Sequence, residues 1–367
     1  MNGELKFFWR VLRLVLLRLF IKVAGSKSLR RKIRAFAPKL YCDHPAYGRI
    51  YLPIYPSRLE MGAAFPKIYN ADGEAMEIFF IRDDHSANNP YGSGSKYFLW
   101  DRYNVALKTH FYGGNAILDA ARQKRWAEGI RRYAILPESV TIAPYDYLAF
   151  EKFKGIHKDF EAVLTFSEKL LETLPNAKFF PGTSLFYGNE VFGNDVDPVK
   201  IDPEVWRLKD KNISMVCTKK ATTEMHRLRQ RFADEVLRSR QADVFGSYQP
   251  TGMFKFKSET LQRYRYQIVV ENDLRPYYFT EKIIDCFAAM TIPIYLGASK
   301  IKNFFNADGI IFVEKDSDLP RILAQCDERD YLSRLEAVRE NFERARAYFN
   351  SDDLLYEILF RGRILEK

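Results

Sequence analysis

Apolar runs of strand length alternate with amphipathic segments along most of the chain. The apolar runs predict strands at 75–84, 131–139, 212–218, 242–247, 264–272, 291–297 and 309–314, and 162–174 predicts a strand that continues into a helix. Helical periodicity predicts helices at 117–132, 224–240 and 280–290. Long apolar strands separated by helices are typical of parallel sheets covered on both faces. The pattern therefore predicts an α/β protein.

The alternation breaks near 195–212, where two prolines and clustered charges occur in NDVDPVKIDPEVWRLKDKN. We place a domain boundary there. The predicted parts are a basic segment 1–40, an N-terminal domain 41–205, a C-terminal domain 206–345 and a C-terminal helix 346–367. Two Rossmann-like domains facing a cleft are expected, with ligands at the carboxyl ends of the parallel strands.

Length and composition fit two hydrophobic cores. A chain of 367 residues is about twice the size of a usual single domain. Its 47% of hydrophobic residues excludes a mainly disordered chain. The four cysteines lack C-x-x-C spacing, and the five histidines form no H-E-x-x-H pattern. A disulfide-stapled fold and a zinc site are therefore not expected.

The net charge of +10 is concentrated in residues 1–40. That segment holds eleven lysines and arginines against Glu4 alone, so basic and acidic residues balance in the rest of the chain. A neutral body with a basic tail does not fit a duplex nucleic-acid binder. Nucleic acid is therefore not an expected partner.

Residues 7–24, FFWRVLRLVLLRLFIKVA, are apolar but carry regularly spaced cations. A membrane-spanning helix would place Arg13 and Arg18 near the bilayer centre, at about 2.5–3.5 kcal/mol each. The charges also interrupt any signal-peptide core. The segment therefore predicts an amphipathic helix on an anionic membrane surface, with 26–34 extending the basic patch. The alternative is a basic helix packed on the protein's own surface.

The stretch 264–298 carries the most unusual polar residues. A buried strand ends in Glu271-Asn272, and a helix begins at Thr280 with Glu281 and Lys282 in its first turn. A helix N-terminus favours anions, so a lysine there is unfavourable unless an anion binds nearby. The alternative is ordinary capping, with Thr280 as N-cap and Lys282 in solvent.

A second set of cations follows the strand 212–218. The set comprises Lys219, Lys220, His226, Arg227, Arg229 and Arg231. Most of these residues would form a solvated helix face, whereas one arginine turned inward could clamp a diphosphate. The sequence contains neither a Walker A loop nor G-x-G-x-x-G. An ATPase and a nicotinamide dehydrogenase are therefore not indicated.

Residues 264–314 resemble the donor-binding region of the α1,3/1,4-fucosyltransferases of glycosyltransferase family 10, particularly its bacterial members. The shared positions are Tyr264, Tyr266, Glu271, Asn272, Tyr278, Thr280, Glu281, Lys282, Pro293 and Gly297. Residues 214–246 and the segments LPESVTIAPYDY and AVLTFSEKLL resemble other parts of the family more weakly. Residues 1–130 carry no matching motif.

This resemblance implies a GT-B fold, GDP-fucose as donor and inversion at the anomeric carbon without a metal or other cofactor. The C-terminal domain would then bind GDP-fucose, and the N-terminal domain the glycan acceptor. By the same resemblance, Glu281 would bind the ribose, and Lys282 and Arg229 would neutralise the diphosphate. Asn272 and Tyr278 would line the same pocket.

Glu138, in the Glu-Ser turn of LPESVTIAPYDY, would be the general base by the same resemblance. A sugar hydroxyl is a poor nucleophile, so a carboxylate has to accept its proton during attack. Val140 stands where many members have proline, and Glu138 as a structural turn residue remains the alternative. Asp195 and Asp197 match a D-x-D metal pair that a GT-B enzyme does not need, and His110 is expected to be an ordinary loop or core histidine.

These features predict a peripheral membrane fucosyltransferase on the cytoplasmic side of a bacterial inner membrane. It would transfer fucose in an α1,3 or α1,4 linkage to a surface glycan or lipopolysaccharide. Three alternatives stay open: the same fold with another GDP-sugar, a catalytically silent membrane scaffold or glycan-binding protein, and a Golgi enzyme in which 7–24 spans the membrane.

Overall fold

The computed structural model describes part of the chain. The described residues are 41–44, 48–51, 68–69, 73, 75–82, 95–101, 107–114, 116–122, 129–187, 201–249 and 252–365. The expected membrane helix within 1–40 and the pair Asp195 and Asp197 lie outside them. The described residues fall into two compact units, the first holding those in 41–135 and 145–163 and the second those in 136–144 and 164–365. These units are groups of mutual contacts, so the predicted domain limits stay a prediction.

The earlier part of the chain forms a small hairpin and a seven-stranded sheet. The hairpin pairs β1 (Tyr41–His44) and β2 (Gly48–Tyr51) in antiparallel register. The sheet strands are β3 (Ile68–Tyr69), β4 (Ala75–Arg82), β5 (Phe98–Asp101), β6 (Thr109–Tyr112), β7 (Arg131–Leu136), β8 (Ala162–Thr165) and β9 (Ala177–Phe179). Their order is β3-β4-β6-β7-β8-β9, and β5 pairs with β4. Strand β4 runs parallel to β5 and β6, β6 runs parallel to β7, and β3 is antiparallel.

Three short helices accompany this sheet. They are α1 (Ala116–Arg122), α2 (Pro144–Lys152) and α3 (Glu168–Thr173). The helix expected over 117–132 therefore extends too far, because Arg131 already begins β7. The reason is pairing: Thr109 of β6 stands opposite Arg131, and residues 132–136 are buried between neighbours, which suits a strand.

The second unit is built on a five-stranded parallel sheet in the order β11-β10-β12-β13-β14. Its elements are β10 (Lys211–Val216), α4 (Glu224–Ser239), β11 (Asp243–Phe245), β12 (Tyr264–Val270), α5 (Glu281–Ala288), β13 (Ile292–Leu296), β14 (Ile311–Phe312), α6 (Leu319–Gln325), α7 (Glu328–Ser333), α8 (Leu335–Ala345) and α9 (Ser351–Phe360). The chain leaves β10 first to one side, where β11 lies, and then returns to the other side, where β12, β13 and β14 follow. A topological switch point therefore lies between β10 and β12.

The central strand pair explains the long apolar runs of the sequence. Every residue of β12 is buried, and its register places Tyr266 opposite Ile213 on one side and Ile292 on the other. A strand covered on both faces needs apolar residues at successive positions rather than at alternate ones. The predicted α/β class is confirmed, and two sheet-based units are what a GT-B type requires.

Helix α4 shows how the sequence orients a polar face. Its residues Leu228, Phe232 and Val236 pack into the core of the second unit. His226 and Arg229 are three positions apart and therefore share another side of the helix. The apolar stripe thus fixes the direction in which this pair points.

Candidate functional site

Polar side chains meet at the carboxyl ends of β10 and β12 in the second unit. Three segments bring them there: the start of α4 after β10, the dipeptide Glu271-Asn272 after β12, and the start of α5. This is the topological switch point, where open parallel sheets bind ligands. All six predicted site residues lie in the same unit.

A buried carboxylate organises the start of α5. Thr280 is the N-cap residue in extended conformation, and its hydroxyl oxygen accepts from Lys282 N at 3.4 Å. The carboxylate of Glu271, which is 0% exposed, accepts from Thr280 N and from the Thr280 hydroxyl, each at 2.9 Å. Glu271 therefore fixes the entry of the chain into the helix.

Lys282 is held between two carboxylates. Its Nζ lies 2.8 Å from Thr280 Oγ1, 3.2 Å from Glu271 Oε2 and 3.3 Å from Glu281 Oε1. Only 19% of the Lys282 side chain is exposed, so the alternative of a solvated lysine is wrong. The carboxylates supply the negative charge that a lysine in the first turn of a helix requires.

The same contacts set the charge states of this pair. Burial acts to lower the pKa of Lys282, but the Glu271 and Glu281 carboxylates outweigh it, and the pKa is raised above its usual value. Burial likewise acts to raise the pKa of Glu281, and the neighbouring cations Lys282 and Lys257 bring it below its usual value. Lys282 and Glu281 are therefore both ionised at neutral pH.

Arg229 is the arginine of α4 that faces the strand ends. Its Nη2 donates to Asn272 Oδ1 at 2.9 Å and to the carbonyl oxygen of Val270. Arg227 is exposed, and Arg231 pairs with Asp316 at 3.0 Å on the outside. A step of two residues along a helix rotates the side-chain direction by about 200°. Arg227 and Arg231, each two positions from Arg229, therefore point away from the site.

Tyr278 links this cluster to Glu138. The Tyr278 hydroxyl donates to Glu138 Oε2 at 3.3 Å, and the tyrosine is 1% exposed. Burial, together with the charges of Glu138, Glu271 and Glu281, raises the pKa of Tyr278 well above its usual value. Its hydroxyl therefore keeps its proton and acts as a donor to the carboxylate.

The turn that carries Glu138 is held from two sides. The Thr141 hydroxyl donates to Asp273 Oδ2 at 2.7 Å, in the loop that follows β12. Gly182 packs against Pro137 with φ of +64°, and a Cβ there would lie 2.8 Å from Pro137 Cα. A side chain at position 182 would therefore displace the residue before Glu138.

Two residues of this site have no role in the sequence prediction. The sequence motif includes Glu271 but assigns it no role. Its position at the end of a predicted buried strand is the sequence feature that could have marked it as a site residue. Gly297 follows β13, where a Cβ would lie 2.6 Å from Glu271 Cγ and would also overlap the ring of Tyr295. Glycine at 297 therefore leaves room for the buried carboxylate.

The described residues outside this cluster give two further results. His110 is a buried residue of β6 whose Nδ1 lies 2.7 Å from Tyr112 Oη and whose Nε2 lies 2.6 Å from Leu107 O. It is therefore a core histidine with both ring nitrogens hydrogen-bonded.

Within the ranges that the structure describes, no helix is long and apolar enough to cross a membrane.

Comparison with known proteins agrees with the motif. Residues 206–351 match the family model described as glycosyltransferase family 10 (fucosyltransferase) C-term. This part of the chain is a family 10 glycosyltransferase domain. The resemblance stated from residues 264–314 is confirmed, and five of the six predicted site residues fall inside the family 10 domain. Glu138 precedes it.

Known proteins similar to this chain include a bovine fucosyltransferase. Over 105 residues, the chain is 31% identical to 3-galactosyl-N-acetylglucosaminide 4-alpha-L-fucosyltransferase FUT3 of Bos taurus, and the match spans 27% of this chain and 28% of that relative. Among solved structures, an α1,3-fucosyltransferase with GDP is similar at 15% identity and a TM-score of 0.48, covering 82% of this chain and 93% of the other. A sucrose-phosphate synthase from Thermosynechococcus elongatus is similar at 12% identity and a TM-score of 0.44, covering 78% and 89%.

Proposed function

We propose that the protein is an inverting fucosyltransferase that uses GDP-fucose as donor and a hydroxyl of a glycan as acceptor. The family 10 domain supports the reaction class, and the bovine relative is named as a 4-alpha-L-fucosyltransferase, which supports fucose as the sugar. An α1,3 or α1,4 linkage, in surface glycan or lipopolysaccharide synthesis, completes the proposal.

One observation carries the proposal: two cations meet at the switch point of the family 10 domain. Arg229 approaches from α4 and Lys282 from α5, close enough for the charge of each to act on the other. A diphosphate carries the negative charge that this pair can neutralise, and Arg229 offers the planar donor group that phosphate oxygens accept. Glu281, beside Lys282, is the proposed acceptor for the ribose hydroxyls.

The proposed reaction moves one proton and one electron pair. Glu138 accepts the proton of the acceptor hydroxyl while that oxygen forms a bond to the anomeric carbon. The bond from the anomeric carbon to the phosphate breaks on the opposite face, and its electron pair leaves with GDP. Lys282 and Arg229 stabilise the charge that develops on the diphosphate, so the proposal requires no metal. The Tyr278 hydroxyl, bonded to Glu138, orients the carboxylate.

The first experiment is isothermal titration with GDP, GDP-fucose and GDP-mannose in metal-free buffer. Binding of GDP-fucose that Lys282→Ala abolishes supports the donor assignment, and Arg227→Ala, on the exposed side of α4, is the control. Preference for GDP-mannose would transfer the proposal to another GDP-sugar. Absence of guanine nucleotide binding would refute it in favour of a scaffold protein.

A second experiment tests Glu138. In a transfer assay with GDP-fucose and a mixed glycan acceptor panel, Glu138→Gln lowers kcat by about 10²–10⁴-fold while GDP affinity is unchanged, because the amide cannot accept the proton. A variant with wild-type turnover would exclude Glu138 as the base.

The proposed location is the cytoplasmic face of a bacterial inner membrane, with residues 1–40 bound to anionic lipid. Flotation of the full-length protein with vesicles of phosphatidylglycerol and phosphatidylcholine tests this. Binding to anionic vesicles that high salt reverses supports the proposal, and binding independent of lipid charge contradicts it. Retention after a carbonate wash of native membranes would instead support the spanning, Golgi-type alternative.

A further inference from the structure

The turn that carries Glu138 has a fixed shape of its own. The carbonyl oxygen of Ser139 accepts from Ile142 N at 3.0 Å and from Ala143 N at 2.8 Å, so the backbone closes on itself just before α2 begins. Ser139 is 0% exposed, and the turn belongs to the same unit as the family 10 domain. These internal bonds fix the shape of the turn, but they do not fix its position relative to the residues after β12.

A hydrogen bond joins this turn to Asp273, in the loop that follows β12. The Thr141 hydroxyl donates to Asp273 Oδ2 at 2.7 Å, across 132 positions of sequence. A hydroxyl that donates to a carboxylate at this distance forms a strong, charge-assisted bond. The contact from the Tyr278 hydroxyl to Glu138 Oε2 is longer, at 3.3 Å, which is beyond the usual range of O–H···O bonds. Of these two hydrogen bonds, the one to Asp273 is therefore the stronger.

Asp273 is itself held in place. Its side chain is 12% exposed, and Arg275 Nε lies 3.7 Å from the same Oδ2. The preceding residue, Asn272, accepts from Arg229 Nη2 at 2.9 Å. Because Arg229 is the proposed ligand of the diphosphate, the backbone that carries Asp273 is tied to the donor end of the site. The Asp273 carboxylate is therefore a fixed point to which a neighbouring turn can be attached.

We propose that Asp273 is a positioning residue: through Thr141 it holds the turn of Glu138 at the donor end of the site, so that the base stands within reach of the acceptor hydroxyl. This inference rests on the proposed transfer reaction. Asp273 itself contacts neither substrate, and it acts on the base through the backbone between Thr141 and Glu138. Proton transfer requires hydrogen-bond distance, so a base displaced by about 1 Å loses much of its effect.

Two substitutions at Thr141 test this role in the transfer assay. Thr141→Val keeps the shape of the side chain and removes the hydroxyl, whereas Thr141→Ser keeps the hydroxyl. We expect Thr141→Val to lower kcat about tenfold, the effect of one lost hydrogen bond to a charged group, while GDP affinity is unchanged. Thr141→Ser should retain the wild-type kcat, because it can still donate to Asp273.

A double-mutant cycle with Asp273 identifies the partner. Asp273→Leu removes both carboxylate oxygens, and in that background Thr141→Val should have no further effect on kcat, because Thr141 acts through that carboxylate. Asp273→Asn, whose amide oxygen can still accept, should lose less than Asp273→Leu. Thr173→Val is the control: it also removes the hydroxyl of an exposed threonine, one that donates to Lys169 O at 2.6 Å, and it should leave kcat unchanged.

Three outcomes of the kinetic experiment would overturn the inference. Wild-type kcat in Thr141→Val would show that the bond to Asp273 does not place the base. An equal loss in Thr141→Val and Thr141→Ser would trace the effect to the altered side-chain volume instead of the hydroxyl. Losses in the double variant that multiply would mean that Thr141 and Asp273 act separately.

A measurement without donor distinguishes this failure from failure of the proposed function. Hydrogen exchange of the nucleotide-free protein, followed by mass spectrometry, reports how often the turn around Ile142 and Ala143 opens. Exchange there should be faster than wild type in Thr141→Val and Asp273→Leu, and unchanged in Thr141→Ser. Equal exchange in all four proteins overturns the inference even if the enzyme transfers fucose. If the wild type binds no guanine nucleotide, the proposed function fails, and the exchange rates still decide whether Asp273 holds the turn.

Discussion

Replacing Lys282 with methionine tests both the stability and the chemistry of the site. The substitution keeps the length of the side chain but removes the charge that lies 3.2 Å from Glu271. Glu271 is 0% exposed, so its carboxylate is left in the interior with Thr280 as its remaining partner among the contacts described above. Breaking a buried ion pair by removing one partner costs about 3–5 kcal/mol. Because Thr280 still donates twice, we expect about 3 kcal/mol.

For a unit of this size, that loss corresponds to a fall in melting temperature of about 6–12 °C. Differential scanning calorimetry of the nucleotide-free protein measures it, with the exposed Lys300→Met as control. The double variant Glu271→Gln with Lys282→Met removes both charges, and we expect it to recover most of the stability while GDP affinity stays lost. An unchanged melting temperature for Lys282→Met, or recovery of GDP binding in the double variant, would refute this account of the pair.

Three further predictions concern neighbouring residues. Gly297→Ala pushes a methyl group against Glu271 and should lower the free energy of unfolding by about 1–3 kcal/mol in urea titrations, with weaker GDP binding. Arg229→Ala should weaken GDP binding in calorimetry at least tenfold, whereas Arg227→Ala should leave it unchanged. Burial raises the pKa of Asp285 to about 6, so the native state takes up a proton as the pH falls from about 6 towards 4. In urea titrations at pH 7 and pH 4, the wild type should therefore gain up to about 3 kcal/mol relative to Asp285→Asn at the lower pH.

The sequence by itself determined the class of fold and the donor-side residues. The apolar runs at 212–218, 264–272 and 291–297 gave β10, β12 and β13 within two residues at each end, because strands buried on both faces need continuous apolar residues. The motif around TEKIID was long enough to identify a family 10 domain, and the family model covers it. These features are local, so a linear pattern records them.

Which arginine of α4 serves the site depended on the tertiary structure. Arg227, Arg229 and Arg231 are alike in sequence, and only the packing of Leu228, Phe232 and Val236 into the core turns Arg229 towards Asn272. The helix expected over 117–132 and the strand expected over 131–139 overlapped at Arg131 and Arg132, and the structure decides for the strand. Pairing with β6 converts Arg131 and Arg132 into strand residues, and this pairing joins positions about twenty residues apart.

The surroundings of Lys282 were decided by contacts across the chain. From the sequence, either a bound anion or solvent was expected beside Lys282. In the structure its partners are the carboxylates of Glu271, eleven positions earlier, and of the adjacent Glu281. Glu138 and Tyr278 are separated by 140 positions and still share a hydrogen bond. Contacts of this kind follow from how strands order in a sheet and where helices pack on it. Strand order and helix packing depend on how the whole core is buried, and a local sequence pattern does not encode this.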